Sequence, residues 1–416
     1  MQRISTNMPN DDMIYHLQQR ELSLYNTQNK MATQKRIQNL RDDPTGAAHA
    51  ARYDSLVKRL EKYAKNIEYS QDYYKVAEDN LRAGVDILHR IRELTVQAAH
   101  GTYTKEDLQA MGKEVDQLLQ ELTQIANTRG PDGSFMFGGA RTDGEPFRII
   151  QGNVPGADGL VTTQVQYIGD ITERQTEIAD GELIATGFVG SKVFAGENQH
   201  IYSTTDAMDY RVTQDGAFYI DGTRIEVTQG DTIYSIVHKI NNSDAAVKAS
   251  IDPVNNSLIL NTTTPHQMWL EDEQGSTVLQ DLGVITSPDF QRPPDNIAAS
   301  AIKGGGNLFD SVIRVRDMMM EGNTEALGGK GLASIDNALG SMIGVVSDIG
   351  AKGSRLEIAY AANQKKIPDI TEMYSKQVDL DISKAMIELK QLETTHKAAL
   401  STAARILPPT LLDFLR

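Results

Sequence analysis

The side chains able to do chemistry are few in this sequence and poorly spaced for it. Eight histidines (His16, His49, His89, His100, His200, His238, His266 and His396) are scattered over 416 residues. None stands at metal-ligand spacing from another or in the His-Glu-x-x-His order that puts two imidazoles on one helical face. Cysteine is absent, which removes disulfides, thiolate metal sites and thiol nucleophiles together. Gly304–Gly306 and the run Gly328, Gly329, Gly331 resemble phosphate loops only in composition. Lys330 is followed by glycine instead of Ser or Thr, and neither run follows a strand signal, so both read as hinges. Asp379 and Asp381 stand two apart and point to different helical faces, an arrangement for polar contact with solvent or a partner and not for acid–base work. Glu271, Asp272 and Glu273 read as an acidic loop, and Met318 to Met320 as core filling. No catalytic residue, cofactor or metal ligand is expected.

What the sequence offers instead is surface. Val378, Ile382, Ala385, Leu389, Leu392, His396, Ala399, Ala403 and Ile406 recur at alternating spacings of four and three, one seam along a long helix. Ile14, Leu17, Leu24 and Met31 follow the same heptad near the other end. Each terminal segment is then a helix of about 30 residues with one apolar stripe, marginal alone, and each is expected to be completed by the other and by further copies of the chain.

Composition bounds the rest. The length implies two or three domains. The net charge of -15 argues against a nucleic-acid partner, and no window of 18 apolar residues predicts membrane insertion. Residues 141–300 carry 9 Lys and Arg against 23 Asp and Glu, and the remainder 32 against 33. The acidity therefore belongs to the middle, as suits a solvated centre between ends that pack. No cleavable secretory signal is expected at the start, where Ser5 to Asp12 read as a disordered leader.

Along the chain, a helix is predicted over 12–37, then a restart at Asp43-Pro44 into one proline-free helix over 45–100, roughly 80 Å at ~1.5 Å per residue. Thr104 and Asp107 predict a capped helix folding back as an antiparallel hairpin, with Phe135–Phe137 as a short closing strand. Strands are predicted at 161–168 and 175–178, hairpins at 217–227 around Asp221-Gly222 and at 247–262 around Asn255-Asn256, and a short helix between them. Helices resume over 307–320 and 332–366, Pro368 ends or kinks the latter, and the final helix follows. The fold class is therefore mainly α with an α+β insertion: a long antiparallel helical hairpin or coiled-coil rod formed by both chain ends, and a β-rich middle domain. The divisions are 1–40 with 377–416 as a terminal assembly domain, 41–140 with 301–376 as a helical rod, and 141–300 as an acidic outer insertion.

Particular segments carry a family likeness. Arg3 to Met8, Arg36-Ile37 leading into Asp42 to Ala48, Asn66, Arg92 to Ala98, Ile125 to Thr128 and Phe137 to Gly139 resemble the N-terminal region of flagellins and hook-filament junction proteins. Asp379 to Asp381 with Ala385 and Leu389, and the ending Leu411-Leu412-Asp413-Phe414-Leu415, resemble their C-terminal region. Tyr167 to Asp170, Arg174, Ile178 to Gly181 and Gly190 to Phe194 resemble a segment typical of hook-associated proteins, and with that ending they favour the hook-associated protein 3 family over flagellins. Pro368 departs from the smooth helix of that family. The resemblance implies a non-enzymatic structural protein outside the cell or in the periplasm, joining the hook-side adaptor, hook-associated protein 1, to flagellin. It also implies export through the flagellar secretion channel, with a chaperone on the C-terminal helix and on the surface made by Leu411, Leu412 and Phe414. A filament flagellin, and a glycan-binding or enzymatic module in 141–300, remain the alternatives.

Overall fold

A computed structural model describes residues 8–157, 159–287 and 291–406; the leader residues 5–7 and the tail residues Leu411, Leu412 and Phe414 lie outside the described residues. Helix α1 (Met8–Thr33) is followed at Gln34 by a left-handed residue (φ 56°), and α2 (Pro44–Ala99) runs for 56 residues. The turn between them is built by two carboxylates. Asp42 accepts the Gln38 and Asn39 N–H groups (3.0 Å each), and Asp43 accepts Gly46 N–H (2.9 Å) and pairs with Arg36 (3.0 Å). These backbone donors hold both carboxyls below the usual range. Helix α3 (Lys105–Ala126) starts at a reciprocal capping box between Thr104 and Asp107.

The insertion follows as β1 (Phe147–Asn153), β2 (Leu160–Tyr167), β3 (Gln175–Ala179), β4 (Glu182–Ala185), α4 (Gly190–Val193), β5 (Ala195–Ser203), β6 (Gly216–Ile220), β7 (Thr223–Val227), α5 (Ile233–Asn241), β8 (Val247–Ile251), β9 (Leu258–Thr262), β10 (Leu270–Asp272), α6 (Val278–Asp281) and β11 (Ala301–Asn307). The chain then returns through α7 (Leu308–Glu321), α8 (Thr324–Ala326), a π-helical turn at Leu327–Gly331, α9 (Leu332–Val378) and α10 (Ile382–Ile406). It divides into two compact units, Met1–Lys65 with Tyr360–Arg416, and Asn66–Ala359.

Within the second unit, Arg90 pairs with Glu114 (2.8 Å) and Arg92 with Asp336 (2.6 Å), so α3 and α9 both lie along α2. Gly84 marks the meeting of the three: a Cβ there would stand 3.2 Å from the Met342 sulfur and 3.5 Å from Leu122. The expected seam of α2, from Leu60 through Ile67 and Leu81 to Ile91, is buried. Phe194 lies 5.1 Å from Phe137, 5.3 Å from Phe147 and 5.6 Å from Phe309, an aromatic cluster joining the helical layer to the insertion. Beside it Arg316, fully buried, binds Asp116 of α3 and the Thr162 carbonyl of β2, with Asp317 at 2.6 Å. Strand order is β11-β5-β9-β8 in one sheet and β10-β6-β7 in another. The predicted β6–β7 hairpin turns on Asp221 and Gly222, both at positive φ (52° and 81°), and Asn256 (54°) turns β8 into β9.

Four expectations are corrected. Phe135–Phe137 is not a strand: it makes only an isolated bridge at Phe135, and its three consecutive buried side chains cannot alternate across a pleat. Gly304–Gly306 is not a hinge but the bulged end of β11, with Gly305 and Gly306 at φ 74° and 104°; a Cβ on Gly304 would stand 2.3 Å from the His200 ring of β5. Gly328–Gly331 does not break the helices but widens one turn into π geometry. Nor does Pro368 end its helix: α9 continues to Val378. Gln364 and Pro368 both lie exposed, so the carbonyl that loses its donor faces water.

Replacing Arg316 by Met alone is expected to destabilise the chain by about 3–5 kcal/mol in urea unfolding, because Asp116 loses its guanidinium partner in the interior. Adding Asp116→Leu is expected to restore a large part of that loss. Burial pushes the Asp272 carboxyl up from its ordinary 3.8 to about 6 against the lowering effect of the Leu279 and Gln280 N–H groups. Between those values the folded chain holds a proton that the unfolded chain has released, so this group lowers stability as pH rises through that window. Asp272→Asn is expected to flatten the dependence, with a gain on the order of 2 kcal/mol at neutral pH.

Candidate assembly surface

The first unit has little interior. Among its described residues the buried apolar side chains are Ala50, Leu60, Tyr63, Ala64, Val378, Ala385 and Ala403. Alanines let helices approach closely but bury little area each, so burial stabilises this unit only weakly. Helices α1 and α10 lie antiparallel: Arg20 of α1 donates to the Thr395 carbonyl (3.0 Å), and at the other end Lys35 bridges Asp379. A backbone strap closes that end, with Arg36 N–H on the Val378 carbonyl (2.7 Å) and Leu380 N–H on the Gln34 carbonyl (2.9 Å).

The two acidic residues singled out in the sequence serve this strap. Asp381 caps α10 by accepting Lys384 N–H (3.1 Å), a donor that holds its carboxyl below the usual range. Asp379 accepts the Ser375 hydroxyl as α9 ends. Beside the strap lies a depression of about 470 Å³ lined by Thr33, Ile37, Ala50, Tyr374 and Val378 among others.

The α10 seam faces α1. Val378, Ala385 and Ala403 are buried, and Leu389, Leu392, His396 and Ala399 half-buried. Nδ1 of His396 is buried without a hydrogen-bond partner among the described residues. On α1, Leu17, Leu24 and Met31 are half-buried, together with Met13, while Thr27 is buried. Ile14 and Ile382 are placed outside this contact, 45% and 49% exposed.

Sequence reading missed a second apolar stripe. Tyr15, Leu22 and Tyr25, spaced by seven and three, are 58%, 54% and 60% exposed on the side of α1 turned away from Leu17 and Leu24. On α10, Ile387 (61% exposed) lies across the helix from Ala385 and Leu389. It borders a shallow groove of about 510 Å³ with Lys390, Gln391, Thr394 and Thr395. The α1 spacing was visible in the sequence; it was masked by the stronger adjacent heptad. Each helix thus has one face covered by the other and one open. Covering a Leu, Ile or Tyr on such a face contributes about 1.5–3 kcal/mol, so the arrangement is suited to association and offers no chemistry. Among the described residues no three His, Asp or Glu side chains are grouped to hold a metal ion, and no helix is long and apolar enough to cross a membrane.

Residues 4–142 match the bacterial flagellin N-terminal helical region, and residues 212–264 match the flagellin hook IN motif. The flagellar filament 30.7 kDa core protein of Treponema maltophilum is 33% identical over 146 residues, 35% of this chain and 50% of that protein. Flagellar hook-associated protein 3 of Salmonella typhimurium is 24% identical over 163 residues, 39% of this chain and 51% of that protein. The crystal structure of flagellar hook associated protein-3 from Legionella pneumophila aligns over 78% of this chain and 97% of its own at 20% identity, with a TM-score of 0.47. The chain spans about half the length of the curated relatives it first matches.

Ala385→Glu places a charge in the α1–α10 contact. Hydrogen exchange of α1 is expected to become at least about tenfold faster, while amides of α3 and α7 keep their protection.

Proposed function

We infer from these matches and from the open stripes that the chain is a structural subunit of the bacterial flagellum, external or periplasmic, seated where hook and filament join. The observation that carries the reading is the two-faced α1–α10 pair. A helix pair with so small an interior gains order when further helices cover Tyr15, Leu22, Tyr25 and Ile387, and the ordering cost is offset by that burial. The sequence-derived assembly residues Ile14, Leu17, Leu24, Met31, Val378, Ile382, Leu389 and Leu392 fall on or beside these helices, and Leu411, Leu412 and Phe414 would extend the surface. Other copies of the chain are the first partners. Hook-associated protein 1 on the hook side, flagellin on the filament side and an export chaperone on the C-terminal helix complete the set. The three-part division into assembly ends, helical rod and acidic outer insertion belongs to the same reading. No enzymatic step is assigned to it.

A filament-subunit reading is favoured by one observation, the higher identity to filament core proteins than to hook-associated protein 3. Fluorescent labelling of the incorporated chain separates the two: a single spot at the filament base supports the junction, and labelling along the filament supports the alternative. Leu22→Ser combined with Ile387→Ser is expected to leave helical content unchanged and to release soluble chain into the medium instead of incorporating it. Removal of residues 378–416 is expected to abolish incorporation. Normal filament growth on either variant would sink the reading.

A further inference from the structure

Away from the helices, the insertion holds a cleft of about 1000 Å³, the size of a small-molecule site. Its walls are the β1–β2 ribbon with the loop after it, the strand and turn around β10, and, among the described residues, Ile285, Thr286, Gln291 to Pro293 and Asn296. Trp269, the chain's single tryptophan, lies in it half-buried and makes three hydrogen bonds. Its N–H donates to Asp221 Oδ1 (2.9 Å), its carbonyl accepts Asp221 N–H (2.8 Å) and its indole Nε1 donates to Glu271 (2.9 Å). The two backbone bonds fix the residue and the Glu271 bond orients its indole, which is thereby pre-organised to receive a flat apolar face.

The polar groups around it divide into committed and free. Glu273 is bound to Arg224, Asp272 to the Leu279 and Gln280 N–H groups, and Arg141 to the Ile168 carbonyl. Among the described residues the side chains of Arg148, Gln166, Gln280 and Arg292 make no hydrogen bond or ion pair. Asn296, 3% exposed, donates to the Leu270 carbonyl (2.9 Å), but its Oδ1 has no partner. An unsatisfied buried acceptor is uncommon and costly.

The lining discriminates among ligands. A purely apolar molecule would leave the amides and guanidinium groups unpaired. A nucleotide or nucleic acid would bring phosphates against Asp170, Glu271 and Asp272 on the same walls. A sugar ring has an apolar C–H face for the indole and hydroxyls that both donate and accept, matching the mixture of amide and guanidinium groups.

We propose that this cleft binds an oligosaccharide, with one ring stacked on Trp269 and its hydroxyls held by Arg148, Gln166 and Gln280. The proposal is independent of the flagellar reading, since its site shares no residue with the assembly stripes.

The sole tryptophan reports on the site directly. The full chain is titrated with maltotriose, with the β-1,4-linked trisaccharide of N-acetylglucosamine and with cellotriose, following indole emission and, in parallel, the heat of binding. At least one is expected to give a saturable change with half-saturation at about millimolar concentration or below. Arg148→Ala with Gln166→Ala is expected to weaken that binding at least about tenfold with an unchanged urea midpoint. Trp269→Phe is expected to silence the emission while heat is still released. Absence of both signals with all three sugars would overturn the proposal. So would an emission change that follows protein concentration instead of sugar, because the cleft would then be closed by a second copy of the chain.

Discussion

Two helices in contact can cover only one stripe on each. That limit governs the terminal unit, because α1 and α10 present apolar residues on more than one face and, among the described residues, pack chiefly against each other. The covered faces carry Leu17, Leu24, Ala385 and Leu389, and the open ones Tyr15, Leu22, Tyr25 and Ile387. The interior between them is largely alanine, which brings backbones close while removing little apolar area from water. Stability here is a matter of how many helices surround the pair, and the described residues leave Tyr15, Leu22, Tyr25 and Ile387 uncovered.

The second unit obeys the opposite logic. Its core closes on itself through Phe137, Phe147, Phe194 and Phe309, and through the buried Arg316, which draws α7, α3 and β2 to one point. A buried guanidinium is tolerable only when its donors are met, so the contact specifies one mutual arrangement of helix and sheet. The insertion has its own apolar core around Phe218, Ile236, Leu258 and Leu279, all fully buried. One unit thus has a self-sufficient core and the other an incomplete helical pair, so their local stabilities differ.

Much of this was legible along the chain because local rules dominate there. The α2 seam, the Thr104 capping box, the Asp43-Pro44 restart and the Asp221-Gly222 turn each depend on residues within a few positions of one another. What escaped was β1, β4, β5, β10 and β11. β1 and β4 pair with adjacent strands, but the partners of β5, β10 and β11 are remote: β11 joins β5 across about a hundred residues, and its three glycines read as a hinge until His200 is seen lying against Gly304. The continuity of α9 through Pro368 escaped for a related reason, since whether a proline breaks a helix depends on what surrounds the freed carbonyl and not on the proline alone.

The sequence by itself determined the heptads, the caps, the acidic middle and the out-and-back order of the elements, because periodicity and turn chemistry are written in neighbouring residues. It also contained the Tyr15, Leu22, Tyr25 stripe without ranking it. Only the tertiary structure decided which stripe is covered and which is open, that Arg316 and Asp116 meet in the interior, and that Trp269 stands in a cleft among unpaired amides. Each of those facts is a contact between residues far apart in the chain, fixed by packing and by the need to satisfy buried polar groups, and no local pattern encodes it.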